Sequence, residues 1–201
     1  MGKGAEVMSI AVDFSFQKPS VATLKAHGVV CVIVYLTGAG KAITQAEVES
    51  YLKAGIVTVF VFEAEANDAA GGMAAGIAHA AQARSAITAL LGHGWGDPQP
   101  VYFAVDENVP PSAVTDYFVG INRGGFPRAL CGAYGDGQIL NYLGAAGLAA
   151  WFFQSNSKSF PGNATTIPAA HIQQKYNASP IPGTDLDVLL QGDVGQWPRP
   201  T

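Results

Sequence analysis

Acidic residues stand at the ends of several apolar runs in this chain. Asp13 closes MSIAVDF (8–14), Glu63 closes IVTVFVFE (56–63), Asp106 and Glu107 close VYFAVDE (101–107), and Asp185 and Asp187 lie in TDLDV (184–188). One acid at a strand end can simply mark where the chain meets water. Acids at four strand ends mean more if the strands deliver them to one face, because like charges gathered there repel and raise one another's proton affinity. Such a cluster is costly unless it is used. Other polar and aromatic residues fall at equivalent places: Tyr35 and Thr37 at the end of the second run, Phe62 beside Glu63, Tyr134 in the fifth, Gln154 in the sixth and Gln173 in the seventh. The opposite ends of the runs show no such set.

The elements that must position these residues alternate along the chain. Eight strand-length runs cover 8–14, 29–36, 56–63, 101–107, 129–135, 149–155, 169–173 and 184–188. The first five are rich in Val, Ile, Tyr and Phe, as buried parallel strands should be. Helical patterns fall between most of them. In ITQAEVESYLKAG, Thr44 and Glu47 have capping-box spacing, and Gly55 can end the helix in the left-handed conformation. GGMAAGIAHAAQARSAITALLGHG (71–94) reads as a long helix, PSAVTDYFVGIN (111–122) as one capped by Ser112, and DGQILNYLGAAG (136–147) and PSVATLKAHG (19–28) as shorter ones. Strand then helix, repeated, predicts a compact (β/α)8 barrel formed by residues 1–201 as a single domain. The loop-like stretch 155–168 stands where one helix is degraded. In such a barrel the carboxyl ends of the strands form one mouth.

Composition narrows the function. Apolar residues make up 49% of the 201, charged residues 13%, and the net charge is −4. That balance excludes a disordered chain and argues against a nucleic-acid surface, which needs clustered Lys and Arg. The N-terminal MGKGAEVMSIAVDFS has no apolar signal region, and no run is long enough to span a membrane. TGAGKA (37–42) follows a strand but lacks the phosphate-loop spacing, and GAYGDG (132–137) lacks the dinucleotide fingerprint. The four histidines lack metal-ligand spacing and no G-x-S-x-G elbow occurs, so neither metal nor cofactor is expected. Cys31 and Cys131, each inside an apolar run, read as buried free thiols.

Taken in order, VDFS followed by Pro19, the segment 32–63, YFAVDENV, CGAYG, WFFQS and TDLD resemble a glycoside-hydrolase-like family of actinobacteria and their phages. That family is related to the muramidase-type (lysozyme) barrels. The resemblance implies a cell-wall glycan hydrolase working from the barrel mouth outside the cell, as a phage lysin or a secreted enzyme, and as a monomer without cofactors. Muramidases carry Asp-x-Glu on strand four, with the Glu as proton donor. Here Asp106 matches the Asp, but Asn108 stands at the Glu position. By the same match Asp13 and Asp185 take flanking acid positions. Glu63, after an apolar run, is then the expected proton donor and Asp106 the base or stabiliser. Tyr35, Phe62, Tyr134 and Trp151 would offer sugar-stacking faces, and Asn108, Gln154, Gln173 and Asp187 polar contacts. The alternative implied by Asn108 is an inactive hydrolase-like barrel that binds cell-wall glycan.

Overall fold

The computed structural model describes residues 10–92, 99–175 and 179–200. Eight strands form one closed barrel in sequence order: β1 (Ile10–Asp13), β2 (Val29–Tyr35), β3 (Val57–Phe62), β4 (Val101–Ala104), β5 (Cys131–Gly135), β6 (Trp151–Gln154), β7 (Ile172–Lys175) and β8 (Asp185–Leu189). Among the described residues five α-helices connect them: α1 (Val21–Ala26), α2 (Gln45–Lys53), α3 (Gly72–Leu91), α4 (Thr115–Arg123) and α5 (Gly137–Ala145). After β6 no further helix occurs among the described residues, so the outer ring is shorter than the eight-fold repeat predicts.

Local chemistry sets the helix starts. Thr44 and Glu47 form the reciprocal capping box of α2, and Gly55 follows that helix with φ +76. Asp136 caps α5 by accepting the backbone N–H groups of Gln138 and Ile139, both at 2.8 Å. Ser112 does not cap a helix. Residues 111–114 form a 3-10 turn, stabilised where the Thr115 hydroxyl donates to the Ser112 carbonyl, and α4 begins only at Thr115. The helices α3 and α4 pack unusually close. A Cβ on Gly76 would run into the Tyr117 carbonyl, and one on Gly120 into the Met73 carbonyl.

Strand β8 departs from the repeat, running antiparallel to both β1 and β7. The reason is chain length. The connection 176–184 is shorter than the dozen or more residues that a parallel crossover needs, so the chain must turn straight back. This reversal decides where its acids go. Asp185 is the first residue of β8, and only an antiparallel strand puts its first residue at the carboxyl ends of the other seven.

Strand alternation sorts the core into two layers. Ala11, Cys31, Ile33, Val59, Val61, Tyr102, Ala104, Phe153 and Ile172 fill the lumen. Their neighbours Val12, Val32, Phe60, Phe103, Cys131 and Phe152 face outward under the helices. The wall thus separates Cys31 from Cys131, and both are buried free thiols. Gly132 faces inward and leaves space for the Tyr102 ring, which a Cβ would meet at 2.9 Å. The base of the barrel is plugged by the chain after β8. Tyr102 donates its hydroxyl to the Val194 carbonyl at 2.8 Å, and Trp197 bridges to Thr58.

Candidate active site

Continuing the inward parity of each strand by one step leads to the mouth. After Ala11 comes Asp13, after Ile33 Tyr35, after Val61 Glu63, after Ala104 Asp106, and after Gly132 Tyr134. From Ile172 the next inward residue is Gln174, and β8 contributes Asp185 with Asp187 one layer deeper. The register sets Asp13 directly beside Asp185, and Asp187 between Ala11 and Gln174. Two adjoining clefts open over this floor. The larger, about 650 Å³, is walled by Asn156, Ser157, Lys158 and Ser159. The smaller, about 330 Å³, reaches down to Asp13 and Tyr35. Asp106, Tyr134, Gln174 and Asp185 line both, so the clefts form one groove.

Gln174 organises the floor. Its Nε2 donates to Asp13 Oδ2 at 2.9 Å and to Asp185 Oδ2 at 3.5 Å, while its Oε1 accepts the Tyr134 hydroxyl at 3.1 Å. Burial raises the Asp13 carboxyl from 3.8 to about 7, opposed by the Gln174 hydrogen bond and reinforced by Asp185. Asp187 is fully buried against Asp13, and burial together with Asp13 and Asp185 holds its proton on far above the usual carboxylate range. Asp185 is also raised, by burial. Asp106 sits at the exposed rim. The walls of the groove still withdraw some water from its carboxyl, and this raises it; Glu63 adds to the rise and Lys41 opposes it. Glu63 itself is paired with Lys41, whose ammonium lies 4.1 Å from the centroid of the Tyr35 ring. The mouth therefore holds carboxyls that keep a proton near neutral pH beside others that face solvent or a cation. That division is what general acid–base chemistry requires. Among the described residues no cluster of three or more His, Cys, Asp or Glu side chains is arranged to hold a metal ion.

The family model for the Rv2525c-like, glycoside hydrolase-like domain matches residues 22–188. The chain belongs to this family. The Mycobacterium tuberculosis Tat-secreted protein Rv2525c, solved with L-tartrate, superposes with a TM-score of 0.83 at 22% identity, covering 94% of this chain and 99% of that one. The Clostridium perfringens spore cortex lytic enzyme SleM superposes with a TM-score of 0.61 at 12% identity, over 94% of this chain and 69% of that one. The CTP1L endolysin gives a TM-score of 0.50 at 14% identity, over 90% of this chain and 65% of that one. At these identities the likeness shows the shared fold. No curated protein sequence matches the chain.

In this Rv2525c-like barrel, Asp13, Asp106, Asp185, Tyr35 and Tyr134 meet at the groove, and Glu63 stands behind Lys41 at its edge. Several residues expected there lie elsewhere. Phe62 has outward parity and is fully buried, with ring centroids 5.1 Å from His79 and 5.7 Å from Phe103. Trp151 is the first residue of β6, so it sits at the base of the barrel, opposite the mouth. There it donates to the Ala129 carbonyl and stacks on Arg199. Gln154 is fully buried outside the lumen. It accepts the Ile167 N–H at 2.8 Å and donates to the Thr165 carbonyl at 3.0 Å, which anchors the far end of the loop that walls the larger cleft. Gln173 also points outward, donating to the Gln154 carbonyl. Asn108 is exposed on the loop after β4 and lines neither cleft. Asp187 lies beneath the floor rather than in it. The residues that sequence reasoning missed are Gln174, Lys41 and the cleft wall 156–159. Strand parity counted from Ile172 would have selected Gln174 over Gln173.

Proposed function

We propose that this barrel is a cell-wall glycan hydrolase acting outside the cell, with Asp13 as the proton-holding acid and Asp106 as the carboxylate that activates water or stabilises the developing positive charge. The observation that carries this reading is the Asp13 carboxyl, buried on the floor of an open groove and titrating near neutrality, with Asp106 across from it at the rim. Glycoside cleavage needs one carboxyl protonated and a second ionised on either side of the scissile bond. Glu63, the expected donor, is engaged by Lys41, so the donor role passes to Asp13. Tyr35 and Tyr134 supply the aromatic faces of the groove and Gln174 its amide. The lytic activities named for SleM and the CTP1L endolysin support a peptidoglycan-type substrate, and the secretion of Rv2525c supports an extracellular site of action.

A second reading keeps the groove and drops the chemistry: a hydrolase-like barrel that binds cell-wall glycan. It is favoured by Asn108 at the place where muramidases carry their proton donor. Release of reducing ends from purified peptidoglycan separates the two. The hydrolase reading expects release by the wild type, lost in Asp13→Asn and Asp106→Asn. The binding reading expects no release, with co-sedimentation retained by the wild type and weakened in Asp106→Asn.

A further inference from the structure

We propose that Gln174 is the positioning residue of the mouth: its amide, locked by the Tyr134 hydroxyl, holds Asp13 and Asp185 in one orientation and so sets the protonation behaviour of the acid on the floor. This deepens the hydrolase reading and rests on it for its functional meaning. Once Asp13 is ionised, its carboxylate can only accept, so the amide turns its N–H groups to Asp13 and Asp185 and its oxygen accepts the Tyr134 hydroxyl at the other end. The three partners come from β1, β8 and β5, while Gln174 belongs to β7. The register puts Gln174 and Asp13 on opposite sides of β8, so their hydrogen bond spans that strand on the lumen side. A side chain fixed at both ends in this way cannot turn to present its oxygen to the carboxylates. It stabilises the ionised form of Asp13 against burial, and against Asp185 and Glu63, while a hydrogen bond from Asp187 acts in the same direction as the amide.

The test is a carboxyl-carbon NMR titration of Asp13 in the ligand-free protein, for wild type, Gln174→Met and Tyr134→Phe. Met keeps the volume and removes the amide. The wild-type midpoint is expected at about 7. Gln174→Met should move it upward by roughly one to two pH units, the worth of one hydrogen bond to the charged form. Tyr134→Phe should move it in the same direction by less, because it only unlocks the amide. A folded Gln174→Met variant with an unchanged or lowered midpoint overturns the proposal. If that variant does not fold, an unchanged midpoint in Tyr134→Phe overturns it. The alkaline limb of reducing-end release should follow the titration. If the midpoint moves and the limb does not, Gln174 keeps its positioning role and Asp13 is not the proton donor.

Discussion

Replacing Asp13 with Asn should stabilise the protein at alkaline pH and do little in acid. The folded state lifts Asp13 from 3.8 to about 7. That is roughly three pH units, or about 4 kcal/mol at 1.36 kcal/mol per unit. Between these two values the native protein keeps a proton that the unfolded chain has released, so stability falls as pH rises through the window and levels off above it. Asn resembles the protonated acid in shape and charge and has no such dependence. The difference between variant and wild type should therefore be small near about pH 4 and grow to about 4 kcal/mol by about pH 8. For a chain of this size that is roughly 8–16 °C in thermal midpoint. Part of the gain is offset because Asn accepts the Gln174 N–H less strongly than a carboxylate does. The assay is thermal and urea unfolding of both proteins at several pH values and constant ionic strength. A difference that stays flat with pH would refute the placement of Asp13 as a buried acid.

Further outcomes test other parts of the account. Asp106→Asn should abolish glycan hydrolysis or sharply weaken glycan binding while leaving stability unchanged or raised by about 0.5–1 kcal/mol, since it removes one charge from a repelling cluster; Glu107→Gln should be near neutral in both assays. Gly76→Ala should destabilise by about 1–3 kcal/mol or more, because its Cβ meets the Tyr117 carbonyl across the α3–α4 contact, and chemical denaturation reads this directly. Cys31 and Cys131 should react with a thiol reagent only after unfolding, and the intact mass should be that of the fully reduced chain.

The barrel was legible because its signals are local. Apolar runs of strand length, the Thr44–Glu47 capping box and Gly55 each act within a few residues of themselves. The direction of β8 was not visible in its own residues, because TDLDV alternates identically in either direction. The length of the connection 176–184 carried that information. The acids Asp13, Asp106 and Asp185 were legible as a set because unpaired carboxylates at strand ends are costly. Choosing between neighbours was harder. Phe62 against Glu63, and Gln173 against Gln174, depend on parity counted from residues already known to face the lumen. Trp151 was misplaced because an aromatic residue in a strand does not reveal which end of the barrel it occupies. Lys41 escaped notice because TGAGKA was weighed only as a phosphate loop, whereas its lysine pairs with Glu63 at the edge of the mouth.

The central claim is that the groove above Asp13 receives the glycan. Titration of the isotope-labelled protein with soluble peptidoglycan fragments, followed by amide and side-chain NMR, tests it whether or not the bond is cut. The account predicts that the Gln174 side-chain amide and the backbone signals of Tyr134 and residues 156–159 shift together, while the Trp151 indole N–H at the opposite end stays still. Shifts centred on Trp151, or no shifts at the mouth at saturating fragment, would contradict it.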